Sequence, residues 1–327
     1  MSATETFDAA KVRPLWHRIV VRPETVTLLL LIIAIFVSAS LSPFFADLRF
    51  VLESATFYIE FGIVALMLTL VVVSGEIDLS VAAMMALSAC LFGIAHRAGL
   101  GMPLAIIIGL GSGALMGALN GVLVTIFRLP SIIATIGTMT LYRGIAQVIA
   151  GDRSVGGFPS WFVGIDFIAV GIVPVPVIIF TILAILLGIV LGGTLFGRQI
   201  YQTGTNPVAA RHAGIRVGRL KRILFIASGL TSAVAGLLMA SRLGVVRYDL
   251  ATGGELQAVL IVMLGGTYIF GGRGTIAGTF LALWLLIIIQ TGMTVANIAI
   301  DAQLTVLGLL LILAIISANS IYASGRR

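Results

Sequence analysis

The sequence predicts an all-α, polytopic bundle of about ten membrane-spanning helices with both termini in the cytoplasm. Three observations carry this. Of 327 residues, 59% are apolar and only 10% charged, against about 45–50% and about 25% in a soluble domain. Apolar windows close to the length that crosses about 30 Å of hydrocarbon recur along the chain. Basic residues divide unequally between the two sides, fourteen against five, as membrane sidedness requires. A chain of this size cannot hide so much apolar surface from water. A cytosolic enzyme, a secreted domain and a disordered protein are therefore set aside.

The predicted spans are 25–45, 55–74, 80–96, 103–127, 130–150, 174–195, 223–243, 256–270, 275–293 and 303–318. Residues 1–24 form a cytoplasmic tail with Lys11, Arg13, Arg18 and Arg22. A cleaved signal shares that plan, with Ser38-Ala39-Ser40 resembling a cleavage site. The apolar run continues to Phe45, so 25–45 reads as an uncleaved first span. The eighth window is short and reads as broken or tilted. Residues 151–173 read as an interfacial segment: Trp161 to Val173 is apolar but short and interrupted. The membrane domain is thus 25–318, followed by a cytoplasmic tail, 319–327.

The net charge of +7 would suggest nucleic acid in a soluble protein. Here it resolves into sidedness. With the N-terminus inside, fourteen Lys and Arg fall inside: the four of the tail, Arg128, six from Arg198 to Arg222, Arg273, Arg326 and Arg327. Five fall outside: Arg49, Arg97, Arg153, Arg242 and Arg247. Arg143 lies within a span. Nucleic-acid binding is disfavoured, since the charges follow the membrane rather than an aromatic-interleaved face.

Small residues form ridges. Gly109, Gly113, Gly117 and Gly121 recur every fourth residue in the fourth span, and Ser228, Ser232, Gly236 and Ala240 do so in the seventh. Such ridges let backbones approach in lipid. A faint echo relates Glu60…Gly75 to Glu255…Gly271.

Four segments carry chemistry. In Ser74-Gly75-Glu76-Ile77-Asp78-Leu79-Ser80, Asp78 and Ser80 are placed to cap the next helix; lining or gating a polar path is the other reading. In the fifth span, Ser131, Thr135, Thr138 and Tyr142 share one face, with Asn120 nearby in the fourth. They either bond neighbouring helices and their own backbone or wall a hydrated route for a polar, uncharged solute. The basic loop 196–222 contains Asn206-Pro207, a turn or two over Val208–His212, and a stop at Gly214. The small Ala209-Ala210 pair in it suits docking into a partner's cleft. Gly271-Gly272-Arg273-Gly274 reads as a tight turn, because no βαβ unit surrounds its dinucleotide-like spacing. With Cys90 alone, three scattered histidines (His17, His96 and His212) and two lysines (Lys11 and Lys221), neither in a phosphate loop, no catalytic set or metal cluster emerges. Any ATP hydrolysis that drives the protein must occur on another chain.

Four stretches resemble a known family. They are GEIDLSVAA (75–83), GALNGVLV…LPSIIATIGTM…YRG (117–144), FGRQIYQTGTNPVAARHAGIRV (196–217) and GGELQAVLIVMLGGTYIFGGRGTIAG (253–278). Their order and spacing are similar to those of permease subunits of bacterial sugar ABC importers, of the ribose/xylose/arabinose/rhamnose type and including autoinducer-type permeases. The resemblance covers about residues 25–318. It implies a multi-pass inner-membrane protein, paired with a second or sister permease. An ATP-binding subunit, holding ATP and Mg, would lie below it, and a periplasmic sugar-binding protein above, over 151–173 and 243–255. It also implies that Asn206, Pro207, Ala209, Ala210, Arg211 and Gly214 form the ATPase-coupling segment. The chain departs from the family pattern at Glu76 and Ala82, where glycine is usual, and around Thr203 and Thr205. The expected cargo is a pentose or deoxyhexose, or a related furanosyl signal. A branched-chain amino-acid permease and an ion-coupled secondary transporter are the rivals.

Overall fold

Each of the ten predicted windows coincides with an apolar helix in the computed structural model, which describes residues 23–324. The tail residues Lys11, Arg13, Arg18 and Arg22, and Arg326 and Arg327, lie outside the described residues. The long helices are α1 (Pro23–Leu41), α3 (Ile59–Val73), α4 (Val81–Arg97), α5 (Met102–Thr125), α6 (Ser131–Ala150), α8 (Val175–Gly193), α11 (Val217–Leu243), α12 (Gly254–Leu264), α13 (Ile276–Val295) and α14 (Ile300–Ser324). Short helices join them: α2 (Leu48–Ala55), α7 (Ser160–Val163), α9 (Leu195–Thr205) and α10 (Pro207–His212). Among the described residues, five helices are long and apolar enough to cross a membrane alone, and α2 with α3, bent by 67°, makes a sixth if the pair is one span.

The differences from the predicted bounds have local causes. The second span starts at Ile59 because α2 is a separate, bent piece. The eighth window stops at Leu264, where Gly265 ends the helix and Gly266 takes a φ of 78°. Residues 151–173 hold α7, a 3-10 turn (Ile165–Phe167) and the start of a hairpin. The hairpin pairs β1 (Ala169–Val170) with β2 (Val173–Pro174).

The helix α3 is apolar on all sides, as a fully enclosed helix must be, and all its residues except Phe61 are buried. Around it stand α8, α11, α12 and α13, and α1, α6, α8 and α14 expose Leu, Ile and Val to the surroundings. Such apolar exposure fits lipid rather than water.

The closest packing is between α5 and α11. A Cβ on Gly113 would overlap the Gly229 carbonyl, and one on Gly117 would overlap the Phe225 carbonyl. The expected α5 ridge is thus a helix contact. The α11 ridge faces elsewhere: a Cβ on Gly236 would meet the backbone of Met85 in α4. Hence α11 is wedged between α4 and α5, with a small-residue face for each.

The linkers 74–80, 126–130, 194–216 and 265–275 gather at one end of the bundle, the near end. Contacts between Ile77 and Ser131 and between Gly75 and Gly271 join them. The segments 42–58, 151–174 and 243–255 gather at the far end, where Val155 and Val246 form a β-bridge.

The α5–α11 contact is checked by Gly117→Val. Overpacking a tight contact costs about 1–3 kcal/mol, so the melting temperature of the detergent-solubilised protein should fall. Gly111→Val, at a position with open space, should leave it unchanged.

Candidate functional site

The near end is built on the linker between α3 and α4. Helix α3 stops because Gly75 adopts a φ of 86°, a left-handed stop suited to glycine. The chain then has no strand partner for its backbone, and buried amides require one. The hydroxyl face of α6 supplies it. The Ile77 amide donates to Ser131 Oγ at 3.1 Å, and the Leu79 amide donates to Thr135 Oγ1 at 3.2 Å. Thr135 Oγ1 in turn donates to the Ser131 carbonyl at 2.8 Å.

Asp78 is completely buried. Its Oδ1 accepts from the Ser80 amide at 3.0 Å and the Ser80 hydroxyl at 2.7 Å, and its Oδ2 accepts from Ser228 Oγ in α11 at 2.8 Å. Burial pushes the Asp78 carboxyl above its ordinary pKa, opposed by the Ser80 and Ser228 donors. Asn120 Nδ2 of α5 donates to Ser80 Oγ at 2.7 Å. The Tyr142 hydroxyl of α6 lies 2.9 Å from the Met116 carbonyl and 3.1 Å from Asn120 Oδ1, its acceptors. Thr138 is buried one turn before Tyr142.

The structure therefore brings Asp78, Ser80, Asn120, Ser131, Thr135, Thr138 and Tyr142 together, in hydrogen bonds of the kind the first of the two sequence readings describes for the α6 hydroxyls. Ser80 occupies the N-cap position of α4, yet no side chain caps that helix, because the Ser80 hydroxyl turns to Asp78. The α6 stripe is buried: Ser131 and Thr135 hold the linker, Thr138 turns to the Thr135 carbonyl, and Tyr142 bonds α5. The opposite face of α6 is the open one: Gly137, Thr140, Leu141, Gly144, Ile145 and Val148 line a groove.

The basic loop folds as its spacing predicts. Asn206 Oδ1 accepts from the Val208 and Ala209 amides, each at 3.0 Å, and caps α10. Pro207 fills the first turn, and Gly214, with a φ of 83°, follows the end. Val208, Ala209, Arg211 and His212 are exposed. Arg211 Nε donates to the Pro207 carbonyl at 3.1 Å. Ala210 differs: it is 4% exposed and packs inward. The alanine pair is thus split, and only Ala209 of the two is exposed.

Sequence reasoning missed the contacts that seat this loop. A Cβ on Gly204 would overlap the Val73 carbonyl, and one on Gly271 would lie 2.7 Å from Gly75 Cα. The Gly272 amide donates to the Val73 carbonyl at 2.8 Å. Three segments thus meet backbone to backbone. Beside them, Lys221 of α11 forms an ion pair with Glu76.

The far end holds two further charges that the sequence left unassigned. Arg242 Nε donates to Glu60 Oε1 at 2.8 Å, and Arg143 Nη1 donates to the carbonyls of Tyr248 and Leu250 at 2.8 and 2.7 Å. For Arg143 the signal was a charge inside a span, which needs a partner. Arg242 also borders a cleft between α2 and the hairpin, lined by Arg49, Phe57 and Phe167. Among the described residues, no group of His, Cys, Asp and Glu is arranged to hold a metal ion.

A polytopic bundle that consumes its polar groups internally and offers a short capped helix at one end has the build of a membrane transport subunit. The comparisons are specific about which kind. A family profile described as "Branched-chain amino acid transport system / permease component" matches residues 50–315, and the chain belongs to that family. It is 35% identical over 296 residues to the Autoinducer 2 import system permease protein LsrD of Escherichia coli (strain K12), an alignment covering 89% of this chain and 90% of that one. The same figures hold for proteins of that name from Shigella flexneri and Escherichia coli O157:H7. No solved structure matches the chain. The permease class that the four motifs resemble is the class to which the chain belongs.

The linker network has a graded signature. Asp78→Ala strands the buried Ser80 and Ser228 donors, at about 1–3 kcal/mol for each unmet group. Thr135→Val removes hydrogen bonds worth about 0.5–1.5 kcal/mol each. Thermal unfolding should rank Asp78→Ala below Thr135→Val, and Thr135→Val below the wild type.

Proposed function

We propose that the chain is the membrane-spanning permease of an ABC importer for a small polar solute. The solute is a pentose or deoxyhexose such as ribose or rhamnose, or a furanosyl signal of the autoinducer 2 kind. The observation that carries this reading is α10: a six-residue helix, capped by Asn206, with Val208, Ala209, Arg211 and His212 exposed at the near end. The 35% identity to autoinducer 2 import permeases, across nearly the full length of both chains, supports the solute class over a branched-chain amino acid. An ion-coupled transporter would leave α10 without a task.

In this reading the near end faces the cytoplasm of a bacterium, since the basic residues of 196–222 lie there. A separate subunit binds ATP and Mg and docks on α10. A periplasmic binding protein delivers the solute at the far end, over 151–173 and 243–255. A second or sister permease completes the path. ATP binding draws the two coupling helices together, and the solute crosses by alternating access. Aromatic residues make up 8% of the chain, few for a stacking site, so affinity resides in the binding protein.

Arg211→Glu tests the docking role, because Arg211 is exposed and its loss leaves the bundle intact. The variant should insert and melt like the wild type, yet lose co-purification of the ATPase and at least about tenfold of uptake. Unchanged co-purification would remove α10 from the interface. Ala210→Asp should fail differently, by destabilising the fold. A panel of labelled ribose, rhamnose, xylose, autoinducer 2 and leucine identifies the cargo. Leucine uptake alone would overturn the solute class.

A further inference from the structure

We propose that the linker 74–80 is the element through which the docking helix moves the membrane helices. The inference rests on the importer reading above and adds the part that transmits the motion.

The segments on both sides of α10 meet this linker or the end of α3 that leads into it. Before the helix, Gly204 meets the Val73 carbonyl so closely that no Cβ fits, and its Cα lies 3.6 Å from where a Gly75 Cβ would stand. After the helix, Lys221 pairs with Glu76, the two side chains being 15% and 13% exposed. A contact between backbones has no side-chain rotamer to absorb a displacement, and packed interiors transmit strain. A half-enclosed ion pair resists separation because each charge would be left unpaired out of water. The chain on either side of the docking helix is therefore held by the last residue of α3 and the linker that continues it.

The linker in turn is bonded to four helices. It leads directly into α4. Its amides at Ile77 and Leu79 are held by Ser131 and Thr135 of α6, Asp78 is held by Ser228 of α11, and Ser80 is held by Asn120 of α5. A shift of α10 thus reaches α4, α5 and α6 through one short strand of chain. The Gly271-Gly272 turn closes the third side, against Gly75 and the Val73 carbonyl. Spatial continuity alone does not prove coupling, so the test reads coupling directly.

The test uses the full chain in complex with its ATPase, in inside-out vesicles, with a membrane-impermeant maleimide as probe. Val208→Cys reports on α10, and Ile77→Cys, at a half-exposed position, reports on the linker. The native Cys90 is fully buried and does not compete. Adding a non-hydrolysable ATP analogue should change both labelling rates by about threefold or more. Lys221→Glu should leave the response of Val208→Cys in place and abolish that of Ile77→Cys. The charge swap Glu76→Lys with Lys221→Glu should restore it, which a merely destabilised protein would not do. If Lys221→Glu does not assemble, Lys221→Met is read in the same way. An Ile77→Cys response that survives the loss of Lys221, or that the swap fails to recover, overturns the proposal. So does a linker that ignores nucleotide while α10 responds, an outcome that leaves the docking reading standing. An α10 that ignores nucleotide overturns the docking reading and this inference with it.

Discussion

In a bilayer, two apolar helices gain little by leaving lipid for each other, so close approach of their backbones is what joins them. This constraint governs the whole molecule. Gly113 and Gly117 of α5 meet Gly229 and Phe225 of α11 with no room for a side chain, and Gly236 meets Met85 of α4 in the same way. These contacts place α11 at the centre, where it can carry Ser228 to Asp78 and Lys221 to Glu76. The same device recurs at the near end, where Gly75, Gly204 and Gly271 bring three connecting segments together. Close packing and polar satisfaction are therefore not separate achievements here. The first sets the distances that the second needs.

The polar groups follow from the solvent. Backbone that leaves a helix near the hydrocarbon must find partners within the protein. The linker amides do so with Ser131 and Thr135 of α6, which explains the hydroxyls on its inner face, while α5 and α11 hold the side chains of Ser80 and Asp78. The result is a polar joint at the end of an apolar bundle, next to the short helix α10. Far from it, the Glu60–Arg242 pair and the hold of Arg143 on the loop carbonyls fasten the opposite end. A transporter needs both ends to close in turn, and the two joints differ in kind: a hydroxyl and carboxylate network at one, arginine clamps at the other.

Much of this was legible in the residues. Window length and charge sidedness located ten helices, Asn206-Pro207 and Gly214 marked α10, and the four-residue glycine spacing marked the α5 contact. What was not legible depends on which neighbour covers a face. Helical periodicity put Ser131, Thr135 and Tyr142 on one side of α6, but could not say whether that side met lipid, a route or a linker. Ala209 and Ala210 look alike in sequence and point in opposite senses once α10 is seated. Glu60 and Arg242, or Glu76 and Lys221, are separated by most of the fold, and only the packing of α11 brings them into contact.

The central claim is that α10 is the seat of a nucleotide-hydrolysing partner. A photo-crosslinking residue placed at Val208, activated in native membranes, tests it most directly. Mass spectrometry of the adduct should identify an ATP-binding subunit, with the crosslink lost when the same residue is placed at lipid-facing Ile189. A crosslink from Val208 to lipid alone, with no ATP-binding subunit in the adduct, would contradict the account.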